Sequence, residues 1–283
     1  MHFWVKSPGS ARQTRLELRT PGAIGSGKSR APLEGPPQKK DMSLVSISRQ
    51  LSSSVDALVE TLGKDERKVI PFIYNPLDYA RLPHEKYLKL HGAGPKEVLL
   101  VGMNPGPFGM AQTGVPFGDV KMVRDFLGVT GKVTAPEHQH PKRLITGFDC
   151  QRSEVSGTRL WGFARDRFER ADHFFKRFFV VNYCPLVFME ESAKNLTPDK
   201  LPKAFRSKLF ELCDEALRQT VIELKPKWVL GVGGFAEKRA AFAVSGINVQ
   251  VGTILHPSPA SPMANRGWDI AVEKQLKALG IAL

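Results

Sequence analysis

Four short apolar runs, each followed by a helical pattern, constrain this chain more than anything else in it. They fall at 97–101, 178–181 (Phe-Phe-Val-Val), 228–232 (Trp-Val-Leu-Gly-Val) and 249–255. Runs of this length without polar alternation suit strands buried on both faces. Helical spacing covers 43–62, 158–171, 202–224, 234–244 and 268–279, and Gly63 supplies a stop after the first of these. Strands alternating with helices at this interval predict an α/β fold: a three-layer α/β/α sandwich around a mostly parallel four-stranded sheet.

The run at 97–101 ends in a loop of unusual make-up, Gly102-Met-Asn-Pro-Gly-Pro-Phe-Gly-Met-Ala-Gln-Thr-Gly-Val-Pro-Phe-Gly-Asp119. Glycines let backbone approach a ligand closely, while Pro105, Pro107 and Pro116 remove donors and stiffen the path. In open α/β sheets ligands bind beyond the carboxyl ends of the strands. Three polar residues follow three of the apolar runs at that rim: Asn104, Asn182 and His256. Taken singly, Asn182 reads as well as a loop-capping amide, and His256 as a histidine satisfied in a turn. Together with the loop they form a candidate site.

Charge points to the partner. The 283 residues carry a formal charge of +13, with a pI near 9.7, which suits a polyanion such as nucleic acid. Residues 1–40 hold eight Lys/Arg against two Asp/Glu, so the remainder stays basic without them. That stretch, rich in Pro, Gly and Ser, is expected to be a disordered basic tail preceding one catalytic domain at 41–283. Arg12, Arg15 and Arg19 leave mitochondrial targeting as a secondary expectation beside a nuclear location. The run Gly22-Ala-Ile-Gly-Ser-Gly-Lys-Ser29 fits the phosphate-loop formula. It follows no apolar run and leads into Pro-rich sequence, so a nucleotide-hydrolysing role is not expected. No apolar run reaches 18 residues, which excludes a membrane-spanning helix. Cys150, Cys184 and Cys213 are widely spaced with no CxxC pair, a pattern of reduced thiols without a metal or iron–sulfur site. We expect a monomer with no metal and no cofactor.

The run GMNPGPFGMAQTGVPFG at 102–118, Asn182-Tyr-Cys-Pro185, and HPSP at 256–259 resemble the single-strand-selective monofunctional branch of the uracil-DNA glycosylase superfamily. The likeness begins near Tyr74-Asn-Pro76 and extends to the C-terminus. It implies an α/β/α domain that removes uracil and 5-modified uracils (5-hydroxymethyluracil, 5-formyluracil, 5-hydroxyuracil) from single- and double-stranded DNA. It also assigns roles. Phe117, which alone would read as a core phenylalanine, is implied as the stacking face, and Met103 and Gly106 as further substrate contacts. Asn182 reads the base edge, because an amide carries both donor and acceptor and can meet O4 and N3–H of uracil at once. His256 donates to O2 as charge develops there, and Asn104 positions the attacking water. An amide cannot act as a general base. Another branch of the superfamily carries Asp at the corresponding position, so orientation has to do more of the work here. The site offers no lysine as a nucleophile, which implies base removal without strand cleavage.

The resemblance implies that Gly106 leaves room at the uracil C5 position, where other branches place a bulky side chain. The segment Pro257-Ser258-Pro259-Ala260-Ser261-Pro262-Met263-Ala264-Asn265-Arg266 is implied as the DNA-binding wedge, with Met263 as an apolar plug and Arg266 as a phosphate contact. Ala260 departs from the family, which carries Arg there. Lys132, Lys142, Arg143, Arg152 and Arg159 are further candidates for phosphates. Two alternatives stay open: a glycosylase for another deaminated base such as xanthine or hypoxanthine, and a damaged-DNA-binding module without activity.

Overall fold

A computed structural model describes residues 43–283. The N-terminal basic stretch and the phosphate-loop-like run at 22–29 lie outside the described residues. Seven strands occur among those described: β1 (Phe72–Tyr74), β2 (Val98–Gly102), β3 (Phe178–Asn182), β4 (Val187–Met189), β5 (Asn195–Leu196), β6 (Trp228–Val232) and β7 (Gln250–Ile254). The helices are α1 (Leu44–Glu60), α2 (Lys64–Val69), α3 (Pro76–Tyr79), α4 (Arg81–His91), α5 (Met110–Thr113), α6 (Val155–Phe168), α7 (Ala171–Phe175), α8 (Lys203–Leu224), α9 (Gly234–Ala243), α10 (Pro262–Asn265) and α11 (Trp268–Ala278).

The four apolar runs form one parallel sheet in the order β3-β2-β6-β7. All five residues of β2 are buried, as a central strand covered on both faces requires. Crossovers between parallel strands are right-handed. The step from β2 to β3 runs one way along the sheet, while β3 to β6 and β6 to β7 run the other way. Helix α6 therefore covers one face, and α8 and α9 cover the opposite one. The packing agrees: α1 lies on α8, α8 on α9, and α11 on α6. Helix α8 presents Phe205, Leu209, Cys213, Leu217, Val221 and Leu224 inward, a stripe at helical spacing. The chain leaves β2 towards one face and both neighbouring strands towards the other, which opens a crevice at the end of β2.

A second, antiparallel sheet joins β1, β4 and β5. Its strands are two or three residues long, too short to leave a period in the sequence. Helical segments also differ from expectation, the short helices α2, α3, α5 and α10 falling outside every predicted range. The pattern read at 158–171 begins earlier, at Val155, and breaks at Glu169, which adopts φ 62°, before α7. Helix α4 was not expected, because Pro83 near its start and its charged residues mask the buried stripe of His84, Tyr87, Leu88 and His91.

Candidate active site

A cavity of about 430 Å3 opens at the crevice. Met103, Asn104, Gly106, Phe117, Asn182 and His256 line it, so the residues expected to carry substrate contact and catalysis share one space. Of the 257–266 segment, Ser258 reaches the wall. Glu154, Ser156, Met110, Asn195 and Thr197 complete it, and sequence reasoning singled out none of these.

Asn182 ends β3 directly opposite Gly102, the last residue of β2. Its Nδ2 donates to Met110 Sδ at 3.2 Å, a weak acceptor that a ligand oxygen readily replaces. Asn104 lies two residues beyond β2, and its Nδ2 donates to Leu186 O at 3.2 Å. That bond orients the amide and leaves Oδ1 as its acceptor on the cavity.

Phe117 sits in the left-handed region, with φ 53°. Such a backbone costs a non-glycine residue about 1–3 kcal/mol, so its surroundings must hold it. Its carbonyl accepts from Trp161 Nε1 at 3.1 Å and from Asp119 N at 2.8 Å. Gly157 lies so close to that carbonyl that any side chain there would collide with it. Helix α6 supplies both Trp161 and Gly157 and thereby sets the ring.

His256 follows β7 by two residues. Gly233 (φ 92°), at the end of the intervening β6, lies beneath it: a Cβ there would stand 3.3 Å from His256 Cβ. With no side chain in the way, His256 leans to Phe117, ring centroids 6.1 Å apart and tilted by 47°. Burial lowers the His256 pKa from its ordinary value, which favours the neutral imidazole as a hydrogen-bond donor. Glu154, the N-cap of α6, accepts from Gly157 N at 2.5 Å and Ser156 N at 3.2 Å. Burial nevertheless raises its pKa, the two amides offsetting only part of that effect.

Arg159 is engaged rather than free for phosphates. It donates to Pro257 O (3.1 Å), Ser258 O (3.2 Å) and Asn265 Oδ1 (2.8 Å). The 257–266 loop is further stitched by Asn265 Nδ2 to Pro259 O, and by the Ser261 hydroxyl accepting from Ala264 N. Met263 stands 62% exposed on this braced loop, as a protruding apolar side chain should.

Comparison with known proteins places this geometry. The family model "Uracil DNA glycosylase superfamily" matches residues 91–277. The chain belongs to the uracil-DNA glycosylase superfamily. Within it, the chain is 52% identical over 211 residues to the rat single-strand selective monofunctional uracil-DNA glycosylase, covering 74% of this chain and 76% of that protein. The bovine protein of that name is 48% identical over 216 residues, covering 76% of this chain and 79% of its own. The superfamily fold is also seen in the crystal structure of Pedobacter heparinus SMUG2, with a TM-score of 0.55 at 20% identity, over 81% of this chain and 97% of that one.

Proposed function

We propose that this superfamily member is a monofunctional uracil-DNA glycosylase. It hydrolyses the N-glycosidic bond of uracil and of 5-hydroxymethyl-, 5-formyl- and 5-hydroxyuracil in single- and double-stranded DNA. One observation carries the reading: an amide, an aromatic face, an imidazole and a second amide held by a hydrogen bond converge on one cavity at the sheet rim.

The target nucleotide leaves the stack, at a cost of a few kcal/mol that is least in a single strand. Phe117 receives the face of the base, and its clamped carbonyl means that little rearrangement accompanies binding. Asn182 exchanges its sulfur partner for uracil O4 and accepts from N3–H through Oδ1. Cytosine offers the reverse pattern, and a site built around paired hydrogen bonds rejects such a mismatch by about 10⁴-fold or more. As the glycosidic bond lengthens, electrons collect on the base and His256 donates to O2. A donor placed at developing charge contributes about 3–4 kcal/mol in comparable sites. Asn104 Oδ1 holds water on the sugar side. The water oxygen bonds to C1′ as the C1′–N1 bond breaks, and the water's proton passes to solvent. The base departs as its anion, held by the His256 hydrogen bond until it takes a proton from solvent, to leave an abasic site with the strand intact.

Oligonucleotides bearing a single uracil, 5-hydroxymethyluracil, thymine, cytosine, xanthine or hypoxanthine test the reading when treated with alkali after incubation. Uracil and 5-hydroxymethyluracil should be excised, with breakage only after alkali and with loss of activity in His256→Leu. Excision confined to the purines would establish a different base specificity. Damaged-strand binding without excision would establish a binding module.

A further inference from the structure

Beside the cavity, two arginines from separate segments meet on one aromatic ring. The Arg152 guanidinium lies 4.2 Å from the centroid of Phe108, and that of Arg143 lies 5.3 Å from it. Phe108 stands two residues from Gly106, and Arg152 two residues from Glu154; both of those line the cavity. Two residues of chain span at most about 7 Å. The pair therefore sits at the cavity rim.

The arrangement is held from beneath by buried polar side chains of the 102–119 loop. Gln112, 1% exposed, donates through Nε2 to Pro107 O and Leu144 O, and accepts through Oε1 from Thr146 N and Gly147 N. This fastens the segment after Arg143 to the segment carrying Phe108. Tyr74 of β1 adds a bond from its hydroxyl to Arg143 O. Asp119, 4% exposed, accepts through Oδ2 from Ser153 Oγ and Glu154 N, which fixes the chain just after Arg152.

Among the described residues neither guanidinium is in an ion pair. Arg143 Nε is buried without a hydrogen-bond partner, an orphaned donor that folded proteins rarely leave. Arg152 is exposed. Two unneutralised guanidiniums so placed are suited to an anion with several oxygens. A stacked base fits less well, because the Phe108 ring already carries guanidinium.

We propose that Arg143 and Arg152, stacked on Phe108, form a binding subsite for a backbone phosphodiester flanking the target nucleotide. The inference rests on the glycosylase reading for the identity of the strand, while the cation pair itself is independent of it.

The test uses the full chain and a single-stranded oligonucleotide with one tetrahydrofuran abasic analogue, with affinity followed by anisotropy against salt. For single strands, log affinity falls with log salt by about 0.7 per phosphate contact. The slope should drop by about 0.7 in Arg143→Gln and in Arg152→Gln, and by about 1.4 in the double variant. Phe108→Leu, which keeps the apolar volume and removes the ring, should lower affinity by a smaller factor. In a second arm, phosphodiesters are replaced singly by neutral methylphosphonates. One position beside the abasic analogue should weaken binding to the wild type and have no further effect on the double variant. A slope unchanged in folded variants, or full additivity at every position, would overturn the subsite. Failure of the wild type to excise uracil while the slopes still fall would overturn the glycosylase reading and leave the subsite standing.

Discussion

Gly102 and Asn182 face each other at the ends of β2 and β3, and the side chain that Gly102 lacks is the space that Asn182 Oδ1 fills. The same space admits the Phe117 ring, whose Cε2 would lie 2.7 Å from a Cβ at position 102. Gly102→Ala should therefore strike the Asn182 amide and the Phe117 ring together. Overpacking of this kind costs about 1–3 kcal/mol of stability, and excision should fall by about 100-fold or more, since small displacements of reacting groups cost that much. Thermal unfolding and single-turnover excision measure the two effects. A variant with wild-type turnover would remove Gly102 from the account of the site.

Gly106 faces open space: a Cβ there would meet only Glu154 Oε1, at 4.0 Å. Gly106→Tyr should fill the region beside uracil C5, abolishing 5-hydroxymethyluracil excision while sparing uracil. The ratio of the two rates should shift by about 100-fold. Parallel loss of both activities would count against a C5 gate.

Arg159 joins α6 to the 257–266 loop through three hydrogen bonds. Arg159→Met keeps the aliphatic stem and removes the fork, and should cost about 1–3 kcal/mol. Amides of Ser261 and Asn265, which bond within the loop, should exchange faster, and excision from duplex should fall by about tenfold. Arg159→Lys should not rescue, because one ammonium cannot span these acceptors. Unaltered exchange in Arg159→Met would show that the loop holds itself.

His84 in α4 bonds the Ser48 hydroxyl and Gly114 O, and burial lowers its pKa to about 4. Between pH 6.5 and about 4 the unfolded chain takes up a proton that the native imidazole refuses. Stability conferred by the neutral ring is complete above pH 6.5 and declines as pH falls through that window, by about 3 kcal/mol in full. Urea unfolding at pH 7 and pH 4.5 should show this loss in the wild type and a smaller one in His84→Gln. Equal losses in both proteins would assign the acid sensitivity elsewhere.

The inner strands β2 and β6 were legible because they are buried and read as apolar runs, whereas the edge strand β7, expected to be buried as well, has only Ile254 buried and carries Gln250 and Thr253 towards the surface. Asn104, Asn182 and His256 were legible because strand ends in a parallel sheet share a rim. Gln112, Asp119 and Trp161 were not, since each acts through backbone groups brought near by folding; even for Gln112, inside the 102–118 motif, the sequence does not show which carbonyls and amides it meets. Glu154 was hidden in the same way, as a helix cap whose position against Gly106 and Gly109 depends on where α6 is laid down. The role of Arg159 depends on a partner about a hundred positions away, so its charge suggested only surface contact.

β7 is both an edge of the sheet and the last strand of the chain, and His256 exists as a site residue only once that strand has docked beside β6. Asn182, Asn104 and His256 come from three separate stretches of sequence. A molecule in which β7 has not docked lacks one of the three residues at the rim, so the proposed activity is expected only once the sheet is complete.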